Sequence, residues 1–192
     1  MPRTYPSARE RILDATERVI LRDGPHAVSI DAVLLAAEVS KGGFFHHFAT
    51  KDALLVALLE RLSKQVAARA NAAAERDQRG AGRTLRAKVA LAFDMPEPER
   101  ERTRALVLCL LAAVMESKRV AARARAENAR ELALAEAQGV DYGRALTVQL
   151  ALDGLFLAHS FGTLKLTPRQ RAALRATLLE LTQTEKGGRK RG

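Results

Sequence analysis

The run Ser40-Lys41-Gly42-Gly43-Phe44-Phe45-His46-His47-Phe48 brings together a hydroxyl, a long cation, two glycines and two imidazoles. These types in this order suit contacts to phosphate and base edges. A hydroxyl at a helix start stands beside free backbone amides, which can seat a phosphate, and Lys41 is long enough to reach either a base edge or a phosphate. Gly42 and Gly43 each weaken a helix by about 0.8–1 kcal/mol relative to Ala. Either the backbone must approach a duplex closely there, or the pair eases a turn. Phe44 and Phe48 share one helical face and read as core. His46 and His47 leave a helix about 100° apart, and no Cys or further His stands at ligand spacing nearby, so no metal or other cofactor is expected. The chain also lacks a phosphate-cradling glycine loop and a nucleophile motif, so it does not read as an enzyme.

The elements that must position this run are legible on either side of it. Ser29 reads as the N-cap of a helix with Asp31 in its first turn, where the dipole favours an anion. Ile30, Val33, Leu34 and Ala37 form its inner face, and a turn over Ala37–Val39 leads to Ser40, the cap of the next helix. Two short helices joined this way outline a helix-turn-helix, whose second helix enters the major groove of DNA. Upstream, Ser7 and Glu10 have the spacing of a capping box. Ile12, Leu13, Thr16, Val19 and Ile20 follow at helical spacing until Asp23-Gly24-Pro25 ends the run. Pro2–Pro6, with Arg3 and Tyr5, is an arm that either touches a minor groove or frays. Downstream, Thr50 caps a fourth helix, and Lys51 adds a phosphate contact.

Composition sets the frame. Of 192 residues, 47% are hydrophobic and 28% charged, with Ala, Leu, Arg and Glu abundant, which predicts an all-α protein. No segment approaches the roughly 18 to 20 apolar residues of a membrane span, and the N-terminus lacks a secretory apolar core. The single cysteine, Cys109, cannot form an internal disulfide. A cytoplasmic location is expected. The net charge of +10 steers toward DNA, yet residues 1–52 hold seven basic and seven acidic groups, so the excess lies beyond them.

The rest reads as a helical body. Leu54, Leu55, Leu58, Leu59, Leu62 and Val66 make a long apolar stripe, and 75–83 (ERDQRGAGR) reads as a loop or hinge. A short helix over 84–93 is broken at Asp94-Met95-Pro96-Glu97-Pro98. Residues 104–117 are apolar on nearly all sides and predict deep burial, whereas 120–137 predict an exposed helix ended by Gly139. Asp141 caps a helix running to Phe161, on which Gln149 and Asp153, four residues apart, either bond to neighbours or face a ligand. Thr167-Pro168-Arg169-Gln170 is a full helix start. Candidate ligand contacts are Phe93, Cys109, Met115, Gln149, Asp153 and Phe156. The two C-terminal apolar helices suggest a homodimer packed through Leu155, Leu174, Leu178 and Leu181. The basic tail, 184–192, predicts disorder.

Taken in order, Ser29, the Ala-rich helix, Val39-Ser40-Lys41-Gly42, the cluster Phe44–Phe48 and Thr50-Lys51 resemble the DNA-binding domain of the tetracycline-repressor-like (TetR) family. The resemblance covers about the first 55 residues; beyond them the chain matches the family only as a helical domain of suitable length. It implies a three-helix DNA-binding domain (1–52) followed by a helical ligand-binding and dimerisation domain (53–183). DNA contacts then fall to Ser29, Ser40, Lys41, Gly42, Gly43, Phe45, His46, His47 and Lys51. His46 and His47 match positions that commonly face the sugar-phosphate backbone; the alternative for one of them is a structural role. Three positions depart from the family pattern. Phe45 stands where a tyrosine usually bonds phosphate, and without the hydroxyl it offers apolar contact, for instance to a thymine methyl. Glu38 stands at a turn position often held by glycine, which suggests a turn that tolerates a side chain, and Leu34 replaces a small alanine. The implied function is a homodimeric repressor that leaves its double-stranded DNA operator when a small-molecule effector binds. The alternative is a DNA-binding protein whose helical domain engages protein partners and no small molecule.

Overall fold

The Ser7 hydroxyl accepts the Glu10 amide at 3.2 Å and starts α1 (Ala8–Asp23). Only that half of the expected capping box forms, because the Glu10 carboxylate turns to Arg9 and Arg61. The computed structural model describes residues 7–184, and their regular structure is helical throughout. The Pro2–Pro6 arm and residues 185–192 of the basic tail lie outside the described residues. After α1 come α2 (Ile30–Ala37), α3 (Lys41–His47), α4 (Lys51–Glu75), α5 (Arg83–Asp94), α6 (Glu97–Glu116), α7 (Lys118–Glu136), α8 (Tyr142–Ser160) and α9 (Pro168–Leu181). Among the described residues no helix is long and apolar enough to cross a membrane.

The helices pack into two units. The first joins the chain through Lys64 to Glu97–Ala126; the second takes Gln65–Pro96 and the chain from Glu127 on. A boundary at residue 52 follows the local helix-turn-helix pattern, but packing groups α6 and the start of α7 with the three N-terminal helices. The reason lies in α1, which buries more than one stripe: Ile12, Leu13, Ala15, Thr16, Glu17, Val19 and Ile20 are all enclosed. Its apolar side chains share a core with Val33, Phe44, Leu54, Leu58, Leu106 and Val120. Each large side chain enclosed there contributes about 1.5–3 kcal/mol.

Glu17 is the charged member of that buried set, 7% exposed. Its carboxylate accepts from Arg61 of α4 at 2.6 Å and from Arg102 of α6 at 2.5 Å. Arg61 also reaches Asp14 at 2.7 Å. One carboxylate thus fastens α1 to both helices that flank it.

Helix α6 starts at Glu97, seven residues before the apolar run predicts. Pro98 fits its first turn, where amides have no intrahelical partner, and Glu97 and Glu99 complement the dipole. Deep burial on all sides is not what forms. Thr103, Leu106, Cys109, Leu110 and Ala113 face the core, whereas Met115 is 90% exposed.

In the second unit, Leu85, Val89, Phe93, Ala145, Val148, Leu152 and Leu178 make the core. Asp141 caps α8, and Thr167 with Gln170 completes a capping box on α9. The segment read as a loop or hinge forms the loop between α4 and α5, and its end is pinned. Gly82 donates its amide to the Gln138 carbonyl at 2.9 Å with φ of 75°. A Cβ there would stand 2.2 Å from the Thr182 carbonyl oxygen. Beside it Arg86, 6% exposed, reaches Asp77 at 2.6 Å and the Ala81 carbonyl at 2.8 Å. The Arg79 and Arg86 guanidiniums hold the Asp77 carboxyl well below its ordinary range.

Two stability outcomes follow. Gly82→Ala places a methyl against backbone in a left-handed conformation and is expected to cost ~3 kcal/mol in urea unfolding. Glu17→Gln leaves two guanidiniums short of a carboxylate. Both keep some solvent, so the expected loss is about 2 kcal/mol, below the range for a fully buried pair; an unfolding curve superimposable on the parent's would contradict it.

Candidate DNA-binding surface

The site is built by caps, a strained turn and two buried rings. The Ser29 hydroxyl accepts the Ala32 amide at 3.2 Å and starts α2. At the other end Glu38 takes φ 53°, ψ 46°, the one left-handed non-glycine among the described residues. The Val39 amide then donates to the Leu34 carbonyl at 3.3 Å, reversing the chain. Ser40 accepts the Gly43 amide at 3.1 Å and starts α3. Phe44, fully enclosed, and Phe48, 3% exposed, anchor this short helix to the core, as their spacing predicts. The Arg9 guanidinium lies 5.5 Å from the Phe48 ring centre.

Anchored on Phe44, α3 turns Lys41, Gly42, Phe45 and His46 outward together. Their spacing of one, four and five residues makes a single face. Gly43 and His47 lie half-buried at its flanks. The two glycines differ in cause. A Cβ on Gly43 would meet the Ser40 hydroxyl at 3.3 Å, whereas one on Gly42 would meet nothing within 4 Å. Gly43 therefore serves the cap, and no neighbour in the chain requires glycine at 42. Phe45 is 40% exposed and stacks edge-on against Phe44. His46 and His47 do not diverge fully: their rings meet edge to face with centres 5.0 Å apart. Thr50 accepts the Ala53 amide at 3.1 Å and starts α4, which leaves Lys51 exposed in the first turn. Ser29 and Ser40 are exposed as well, each hydroxyl committed to its cap.

The turn corrects one expectation. Glu38 does not mark a geometry that suits side chains; it adopts the left-handed conformation glycine would favour and bears the strain. Leu34 is accommodated against the first core.

The candidate ligand residues are not brought into one cluster. Cys109 sits in the first unit's core, where burial pushes its thiol up to about 11, and Met115 is at the surface. Phe93 is core of the second unit, with the Arg171 guanidinium 5.0 Å from its ring centre, and Phe156 is half-buried. Gln149 and Asp153 do meet. The Gln149 amide donates to Asp153 at 3.0 Å and accepts from Lys88 at 2.9 Å; Lys88 also pairs with Glu131 at 2.5 Å. Asp153 keeps open surface, yet desolvation of its carboxyl, aided by Glu131, raises it above the ordinary range against the pull of Gln149 and Lys88.

Of the candidate dimer residues, one is enclosed and three are partly buried. Leu178 is 2% exposed, and Leu155, Leu174 and Leu181 pack on the same core. The strongest apolar stripe of a helix is used by the chain's own core first. The exposed residues of α8 include Gly143, Leu150, Gly154 and Leu157, continued by Phe161, beside Tyr142, Thr147, Asp153 and His159; those of α9 include Ala172, Ala173 and Ala176 among polar residues. Leu150 and Phe161 are 57% and 60% exposed. Their three- and four-residue spacing was a usable signal, hidden by the apolar residues around it.

Comparison with known proteins agrees with this geometry. Residues 12–58 match the family described as bacterial regulatory proteins, tetR family, and residues 82–183 match the tetracyclin repressor-like C-terminal domain. The HTH-type transcriptional repressor NemR of Escherichia coli K12 is 40% identical over 58 residues, which span 30% of this chain and 29% of that repressor. A TetR-family member from Streptomyces coelicolor A3 superimposes with a TM-score of 0.66 at 27% identity, covering 93% of this chain and 100% of that one. The multidrug binding protein EbrR, complexed with ethidium, gives 0.70 at 26% identity, again covering 93% and 100%. Matched through both its N-terminal and its C-terminal regions, the chain belongs to the tetracycline repressor-like (TetR) family of transcription regulators.

Proposed function

We propose that the protein is a homodimeric repressor that grips a DNA operator through α3 and leaves it when a small molecule binds the helical region beyond the reader. The observation that carries the DNA contacts is the outward face of α3, where Gly42 has no reason within the chain to lack a side chain. Close approach of the backbone to a duplex supplies one. Lys41 then reaches base edges or phosphate, Phe45 and His46 line the same face, and Ser29, Ser40, Gly43, His47 and Lys51 flank it. NemR, a repressor, supports the sign of regulation, and EbrR, a multidrug binding protein, supports a small-molecule effector. The outward stripes of α8 and α9 supply the dimer contact, with glycine and alanine allowing close helix approach.

The mechanism is a matter of spacing. Two readers must stand about 34–36 Å apart, one duplex turn, or at a related interval set by the dimer. An effector that prefers a dimer of another spacing weakens DNA binding by that preference, and DNA weakens effector binding equally. The reading with protein partners in place of an effector draws on Gln149 and Asp153, whose polar groups are already satisfied by neighbours; a ligand screen that moved neither melting temperature nor DNA affinity would favour it.

Selection from a random duplex pool followed by gel shift tests the DNA contacts. Lys41→Ala is expected to weaken binding about 10-fold or more. Gly42→Ala is expected to weaken binding while leaving stability equal or up to ~1 kcal/mol higher, since alanine favours the helix. Parent protein without sequence preference at moderate salt would overturn the reading.

Asp153 gives a pH signature. Its raised carboxyl binds a proton more readily in the folded than in the unfolded chain, so its contribution to stability falls as pH rises above about 4. Asp153→Asn keeps an oxygen to accept from Gln149 and removes the penalty. Its melting temperature should exceed the parent's at pH 7, with the gap closing below about pH 4.

A further inference from the structure

The net positive charge of the chain lies outside residues 1–52, and within them several cations are already engaged. Arg9 lies against Phe48, Arg18 bonds the Ala36 carbonyl, Arg22 pairs with Asp23. Few cations of the reader remain to meet phosphate, on which the salt-dependent part of DNA affinity rests.

Two more stand beside it, at the start of α7. The Ser117 hydroxyl donates to the Asp52 carboxylate at 2.5 Å and accepts the Val120 amide at 3.2 Å. This bond ties the first turn of α7 to the first turn of α4, and Val120, fully enclosed, holds the corner in the first unit's core. Lys51 precedes Asp52 and Lys118 follows Ser117. With backbone steps of 3.8 Å, the two lysines are anchored within roughly 15 Å of each other.

Lys118 and Arg119 are exposed, and no acid sits in the first turn of α7. Glu116 and the C-terminal end of α6 immediately precede the pair and offset the positive end of the α7 dipole, yet among the described residues neither cation has an ion-pair partner. An external anion would supply one. We propose that Lys118 and Arg119 extend the DNA-contacting surface and hold sugar-phosphate oxygens of the duplex, beyond the stretch that α3 reads. The inference rests on the DNA-binding reading above. Phosphate contacts carry no sequence information, so this pair adds affinity without choosing the operator.

The test compares the full-length parent with the double variant Lys118→Ala/Arg119→Ala on two probes, a duplex selected from a random pool and a scrambled duplex of the same composition. Dissociation constants are measured across a salt series. For two phosphate contacts, the slope of log affinity against log salt should fall by about 1.8 for each protomer engaged. Both probes should weaken by the same factor, leaving their ratio unchanged, and the melting temperature should stay level. Lys118→Glu/Arg119→Glu should weaken both further. If the parent binds and the variants keep its slope, the extension is wrong while the α3 reading stands. A changed probe ratio likewise overturns the phosphate role. A parent that binds neither duplex overturns both.

Discussion

The geometry of the reader depends on one enclosed carboxylate. Glu17 lies between guanidiniums from α4 and α6 while its own helix, α1, backs α2 and α3. Taking an acid out of water is costly, and the attraction to two arginines offsets that cost only where the geometry is good and the remaining hydrogen bonds are made. Bonds to both carboxylate oxygens meet that requirement: Arg61 takes one with two nitrogens, and Arg102 takes the other with two. The gain is positional more than energetic. A hydrophobic contact at this point would let α1 slide along its neighbours, whereas a pair of forked bonds fixes its register and so the direction in which α3 points.

What the sequence made legible was local. Ser7, Ser29, Ser40, Thr50, Asp141 and Thr167 each cap the helix expected of them, because a hydroxyl or carboxylate facing free amides is decided within four residues. Phe44 and Phe48 are core for the equally local reason that they share a helical face. Glu17 was not legible, since its partners lie 44 and 85 residues away and nothing near it distinguishes it from a solvated acid. The burial of Leu178 was hidden for a related reason. Periodicity finds the apolar stripe of α9 but not what covers it, and Leu178 is spent on the chain's own core. Met115 misled similarly, as the last turn of an apolar helix that runs out of the core.

Glu38 shows tertiary structure overruling a local preference. A left-handed side-chain residue costs about 1–2 kcal/mol, yet the turn keeps that conformation without glycine. The enclosed side chains on either side, Val33 and Ala37 before it and Phe44 after it, fix both helices, and the turn must span the gap they leave. Gly42 is the converse case. A Cβ there would meet nothing within 4 Å, so no neighbour in the chain asks for its smallness. Where a residue breaks a local rule, the neighbouring packing tells strain imposed by the fold from space kept for a partner.

The chain passes between its two units three times, along α4 after Lys64, at Pro96, and along α7 after Ala126. Two of the three arriving elements, α4 and α6, end their course at the same carboxylate: Arg61 lies three residues before the first crossing and Arg102 six after the second. The third, α7, arrives at Ser117 and Asp52, at the head of α4. A movement of α4 relative to α6 therefore cannot leave Glu17 bonded to both, and α1 must follow one of them. Because the buried side chains of α1 share a core with Phe44 of α3, a shift of α1 is felt directly at α3.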